Sequence, residues 1–296
     1  MISLADTTIA AAVSPATRDL RKESIEDVLG RVERGFGVCL DRAPDAVVRK
    51  RRSAGARTDR GTWVRIERRS IAKIAEQGQT ANGMEAAALL DGIANPAWYR
   101  SLCWQDFDEM TLWRADEVQL IAEPPVQRGP LREGIALSDA WWATLNTSLD
   151  ALARQHTTRT ATPDTEVMTE GLVAREIERA FPGRVDTSIG DPWVPAHADL
   201  NWANLTGPGE CWILDWEDHG LAPRGLDAAN LWASSLTIPV LANRVWSERR
   251  ADLETSTGRL MALFCLAKII NDSSVPAPLH EAATGEAEAL IAALGR

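Results

Sequence analysis

The chain has 296 residues, 45% of them hydrophobic and 25% charged, which is enough apolar material for two cores and too much for a disordered protein. Its formal net charge is −10, which opposes extended contact with a nucleic acid. Four scattered cysteines, Cys39, Cys103, Cys211 and Cys265, form no C-x-x-C pair, which argues against a zinc knuckle or disulfide framework and fits reduced thiols in the cytoplasm.

Near the start, the apolar stretch 9–13 follows Asp6, has no basic region ahead of it and is too short to span a bilayer. Neither export nor a membrane anchor is expected. Residues 17–34 are charged and helix-compatible, and the pattern then turns strand-like over 35–40, 46–51 and 62–67. Gly55 and Gly61 lie between the last two runs and mark a hairpin turn, with a phosphate-covering loop over 53–61 as the alternative. Ten of the 32 basic residues fall between Arg49 and Lys73, where Asp59 and Glu67 are the only acids, so the rest of the chain is strongly acidic. Such a split suits a polyanion held by the first part and a cation by the second, although a solvated basic hairpin also accounts for it. Only four basic residues are lysines, and 12 tryptophans stand against one tyrosine, a bias typical of a high-GC bacterial genome.

A short helix is expected over 83–92, then two apolar runs, 101–107 and 111–121, around an Asp-Glu turn. Three prolines and a glycine make 123–130 the natural linker, so the lobes are expected at 1–123 and 124–296. Beyond it helices dominate. Ser138 can cap a helix over 139–155 with Trp142, Leu145, Leu149 and Leu152 at helical spacing, and a second segment, 166–181, stops at Pro182 and Gly183. Two short apolar pieces, 193–196 and 211–214, flank a polar loop, and further helices are expected at 226–235, 240–254, 258–271 and 279–294. Strands first and helices afterwards make an α+β protein, with a small antiparallel-sheet lobe followed by a larger, mainly helical one.

The polar loop carries the chemistry. His197-Ala198-Asp199-Leu200-Asn201-Trp202-Ala203-Asn204 reads H-x-D-x-x-x-x-N, the pattern of a phosphoryl-transfer catalytic loop. Eleven residues after Asn204, the apolar run ending in Asp215-Trp216-Glu217 presents an acid where a metal-binding aspartate belongs, and Pro223-Arg224-Gly225-Leu226-Asp227 then opens a helix. Together these three elements resemble the aminoglycoside-phosphotransferase and choline-kinase family, whose usual forms are H-G-D-x-x-x-x-N, I-D-W-E and a proline turn leading to D-x-A. The close resemblance covers His197 to Trp232; Ala198 replaces the usual glycine, and Asn201 and Trp202 stand where histidine and proline are common.

The resemblance implies a protein-kinase-like fold and an ATP- or GTP-dependent small-molecule kinase. Asp199 is then the catalytic base toward the acceptor hydroxyl, Asn204 and Asp215 hold Mg²⁺ through oxygen, and His197 and Asp227 support the loop. The third-strand lysine that normally holds the donor phosphates is missing, and Arg65 is favoured for its role over Lys50, with Glu85 as its partner on the following helix. Trp202, Glu217 and Asp218 form a candidate acceptor rim, and an amino sugar or other cationic alcohol suits the acidic second lobe. The missing lysine also leaves open a pseudokinase that binds a nucleotide or a partner without transfer.

Overall fold

The computed structural model describes residues 19–43, 46–77, 79, 82–107, 110–127 and 134–294. The apolar stretch 9–13 and the end of the 123–130 linker lie outside them. Helix formation begins later than the pattern suggests, with α1 at Glu26–Phe36. The residues before it are tied elsewhere, since Asp19 accepts from the Arg21 backbone at 3.0 Å and the Leu20 N–H donates to Arg51 O at 3.0 Å. Val28, Leu29, Val32 and Phe36 form the buried face of α1, and Gly37, with φ 61°, ends it. That stop turns the expected strand 35–40 into a helix terminus, of which only Leu40 forms a bridge, to Thr58.

Five strands follow: β1 (Val48–Arg49), β2 (Ser53–Arg57), β3 (Thr62–Ser70), β4 (Trp98–Asp106) and β5 (Thr111–Gln119). They form one antiparallel sheet in the order β1-β2-β3-β5-β4. β2 occupies the segment expected to turn or to cover phosphates. Its glycine reflects close approach rather than a turn: a Cβ on Gly55 would lie 2.3 Å from Trp63 Cζ2, so the indole lies across β2. One sheet face carries Ala54, Ala56, Val64, Ile66, Trp113 and Ala115 into a core shared with α1. By alternation the other face carries Trp63, Arg65, Glu67, Arg114 and Asp116. Between β3 and β4 lie α2 (Ile71–Gln77) and α3 (Gly83–Ala87). The latter is shorter than the expected 83–92.

The remainder is helical around a larger core: α4 (Asp139–Leu152), α5 (Glu170–Ala180), α6 (Leu226–Ala233), α7 (Pro239–Glu248), α8 (Arg250–Leu253), α9 (Ser256–Asn271) and α10 (Ala277–Leu294). Ser138 caps α4 by accepting from the Trp141 N–H, and Thr169 caps α5 by accepting from the Leu172 N–H. Residues Leu260 to Ala267 of α9 are buried throughout, so this helix is apolar all round, and α5, α6, α8 and α10 pack about it. No helix of the described residues is long and apolar enough to cross a membrane. A two-stranded ribbon, β6 (Trp193–Ala196) with β7 (Gly220–Pro223), holds the two ends of the polar segment together. Met84, Ala87 and Val118 join the larger core, so α3 and the end of β5 fasten the sheet to it.

Candidate active site

The loop after β6 is shaped by one buried carboxylate. Asp227, at the start of α6, accepts from the His197 N–H at 2.7 Å and the Ala198 N–H at 2.8 Å. Ala198 sits at φ 70°, a left-handed conformation that costs a residue with a Cβ about 1 kcal/mol and explains why glycine is usual there. The Asp227 bonds, with Asn230 Nδ2 donating to Ala198 O at 3.1 Å, hold it in place. His197 is fully buried; its Nε2 donates to Leu214 O at 2.8 Å and its Nδ1 accepts from the Asp199 N–H at 3.3 Å. The ring therefore joins the Asp199 loop to the Asp215 segment.

Two carboxamides orient Asp199. Asn201 Nδ2 donates to its Oδ1 and Asn204 Nδ2 to its Oδ2, both at 2.9 Å. Asn201 was missed in the sequence, where it counted only as a departure from histidine. Burial pushes the Asp199 carboxyl up to about 6, and the Asp215 and Asp218 carboxylates add to the rise against His197 and Asn204. Asp215, at φ 66°, faces the sheet: Arg65 Nη1 reaches its Oδ1 at 2.7 Å and Lys50 Nζ lies 3.9 Å from its Oδ2. Burial would raise this carboxyl, but Arg65 and then Lys50 hold it below the usual carboxylate range. Oxygen donors only, crowded carboxylates and an adjoining carboxamide fit a hard cation such as Mg²⁺, which takes one or two carboxylates and otherwise water and substrate phosphate. Among the described residues no three His, Cys, Asp or Glu side chains form a metal cage by themselves.

Three sequence expectations need correction. Glu85 does not pair with Arg65; its carboxylate meets Arg114 at 3.1 Å, while Arg65 is taken by Asp215 and by Glu217. The register explains this, because β5 sets Asp116 opposite Arg65 and Arg114 opposite Glu67 and brings a second arginine to the same face. Trp202 is no acceptor platform. It is 2% exposed, stacked near Trp141 and edge-on to Trp142, with Nε1 donating to Ser235 Oγ at 2.9 Å. Nor do Glu217 and Asp218 form a free rim, since Glu217 bridges Arg65 and Arg69 and Asp218 accepts from Thr162 Oγ1 at 2.7 Å.

Arg159, also unmarked in the sequence, fixes this region through neutral acceptors: Asn82 Oδ1 at 2.6 Å, Glu217 O at 2.8 Å and His219 O at 3.0 Å. It thereby ties the start of α3 to the segment after Asp215. Gly83 permits the same close approach, as a Cβ there would lie 2.3 Å from Trp216 O.

A cleft of about 790 Å³ runs from the sheet to Asp215. Trp63, Met84, Val118 and Leu120 line it with apolar surface, and Lys50, Arg65 and Asp215 stand among its lining residues. The volume suits a ligand of nucleotide size. At its edge the backbone of Leu120, Ile121 and Ala122, just after β5, completes the lining.

No protein-family model matches the chain, and no curated protein matches it significantly. Solved structures do match. An aminoglycoside-3'-phosphotransferase of type VIII is 15% identical, with a TM-score of 0.52 over 83% of this chain and 99% of that one. The GDP complex of a mutant aminoglycoside 2'-phosphotransferase-IIIa is 11% identical, with a TM-score of 0.51 over 90% and 93%. The GDP and kanamycin complex of APH(2")-IIIa is 12% identical, with a TM-score of 0.51 over 91% and 96%. The chain has the protein-kinase-like fold of these phosphotransferases, as the loop motif led us to expect.

Proposed function

We propose that this protein moves the γ-phosphate of ATP or GTP onto a hydroxyl of a small molecule, as a member of the aminoglycoside-phosphotransferase and choline-kinase family. The observation that carries this reading is the Asp199 carboxylate, oriented by two carboxamides and joined through His197 to the segment of Asp215 at the end of the cleft. Residues 1–123 would hold the nucleotide, its base against the apolar wall and the backbone after β5, and residues 124–296 the acceptor. Asp215 and Asn204 would hold Mg²⁺, which when bound neutralises charge on the phosphate oxygens. Asp199 accepts the proton of the acceptor hydroxyl as its oxygen bonds to the γ-phosphorus and the bond to the nucleoside diphosphate breaks.

A cationic acceptor, such as an amino sugar or amino alcohol, is favoured by a second cavity of about 230 Å³ lined by Asp164, Glu166, Glu176 and Asp272 with Arg179 and Lys268. Lys268 pairs with Asp164 in its wall, which raises the ammonium's pKa against burial. The grip of Arg65 on Asp215 favours a second reading, a nucleotide-binding protein without transfer. Thermal denaturation tests what the two readings share. At a hundredfold excess over Kd, MgATP or MgGTP should stabilise the protein by about 2.7 kcal/mol. Asp215→Ala should abolish the gain, and an equal gain in that variant would remove Asp215 from the site.

A further inference from the structure

Two cations face Asp215 from the sheet, and their surroundings differ. Arg65 is committed. Its side chain is 20% exposed, it contacts Asp215 and Glu217, Glu67 lies 4.0 Å away, and Arg69 shares both glutamates. Asp116 stands opposite it on β5 and adds a further carboxylate to its surroundings. Drawing Arg65 toward a phosphate would strip part-buried carboxylates of their shared cation, a costly rearrangement.

Lys50 is not so held. Its side chain is 69% exposed and its one carboxylate contact among the described residues is Asp215, at 3.9 Å. Backbone register determines which way it faces. Val48 pairs with Gly55 and Arg49 with Ala54, and the Lys50 N–H closes the hairpin on Ser53 O at 2.8 Å. Alternation therefore puts Lys50 on the face of Val48, Gly55 and Arg65, which lines the cleft, and puts Arg49 on the other, where its Nη1 donates to Glu23 O at 3.2 Å. The turn itself is fastened: Leu20 N–H donates to Arg51 O at 3.0 Å and Arg68 N–H to Arg52 O at 2.9 Å. Lys50 thus projects over the cleft from an anchored hairpin, with a compact ammonium on a stem long enough to adjust to its ligand.

We infer that Lys50, and not Arg65, is the cation that holds the donor's phosphates, and that Arg65 is a strut joining the sheet to the Asp215 segment. The inference rests on the reading of the cleft as a nucleoside triphosphate site. It departs from the expectation that Arg65 takes over the role of the missing lysine.

Titration calorimetry on the intact protein separates the roles, with MgATP and MgGTP as probes beside adenosine and guanosine, which carry no phosphate. Lys50→Met should weaken triphosphate binding about 10- to 100-fold, the range of one charge-assisted hydrogen bond, with nucleoside affinity and the ligand-free melting temperature unchanged. Arg65→Gln should instead lower the melting temperature and change the affinities for nucleoside and triphosphate by a similar factor. If that variant does not fold, the Lys50→Met titration decides alone. A wild-type protein that binds triphosphate, with Lys50→Met binding it equally well, overturns this inference and leaves the phosphotransferase reading standing. A wild-type protein that binds no nucleoside triphosphate overturns both.

Discussion

An Asp199→Asn variant should retain nucleotide affinity within about threefold and lose about 10²- to 10⁴-fold in kcat, the range that a positioned general base contributes. The substitution is close to isosteric, and its amide oxygen still accepts from one of Asn201 and Asn204 while the other loses its acceptor, so the loop keeps one of the two bonds that orient this side chain. What disappears is the site that takes the hydroxyl proton. The same carboxyl sets a pH dependence. Because burial raises Asp199 to about 6 and only the ionised form accepts a proton, kcat/KM should rise with pH up to and through 6 and flatten above it. Once a cation and substrate are bound, the corresponding limb of kcat should move to lower pH, since positive charge favours the carboxylate. Steady-state rates between pH 4.5 and 8 check both, and a kcat/KM that is flat across that interval would take the base role from Asp199.

Asp227→Ala should cost both stability and activity. Its carboxylate satisfies two buried backbone donors, at His197 and Ala198, and an unsatisfied buried donor costs about 1–3 kcal/mol. The sum, about 2–6 kcal/mol, comes with loss of the support that keeps Ala198 left-handed, so the loop that presents Asp199 should relax and transfer should fall below detection. Asp227→Asn retains one acceptor oxygen and should lose about half as much. Urea denaturation followed by circular dichroism measures the difference, and a midpoint unchanged in both variants would show that the loop is held by other means.

How much of this could be read from the chain depends on how local each signal is. The runs that became β4 and β5 carry tryptophan and aliphatic residues on either side of an Asp-Glu turn, and the helix capped by Ser138 carries its start signal beside it, so these elements were legible; α5 was legible as a helix but starts at Glu170, after the Thr169 cap, later than the expected 166. β2 was not, because Ser53-Ala54-Gly55-Ala56 lacks the bulky residues that mark a strand; its small side chains make room for an indole on the neighbouring strand. The candidate loop stood out because its chemistry is packed into eight residues. The ion pairs did not, since the choice between Glu85 and Asp215 for Arg65 depends on strand register and on a contact spanning 150 positions of sequence. Trp202 misled for the opposite reason: it lies within the loop in sequence, yet its ring turns into the core against Trp141 and Trp142.

Transfer itself is the most direct test. Incubating the protein with γ-labelled ATP or GTP, Mg²⁺ and a panel of amino sugars, nucleosides and amino alcohols should move label onto at least one acceptor, and Asp199→Asn should slow the transfer about 10²- to 10⁴-fold. Label that stays entirely on the nucleotide across the panel, with no release as inorganic phosphate, would contradict the proposed reaction.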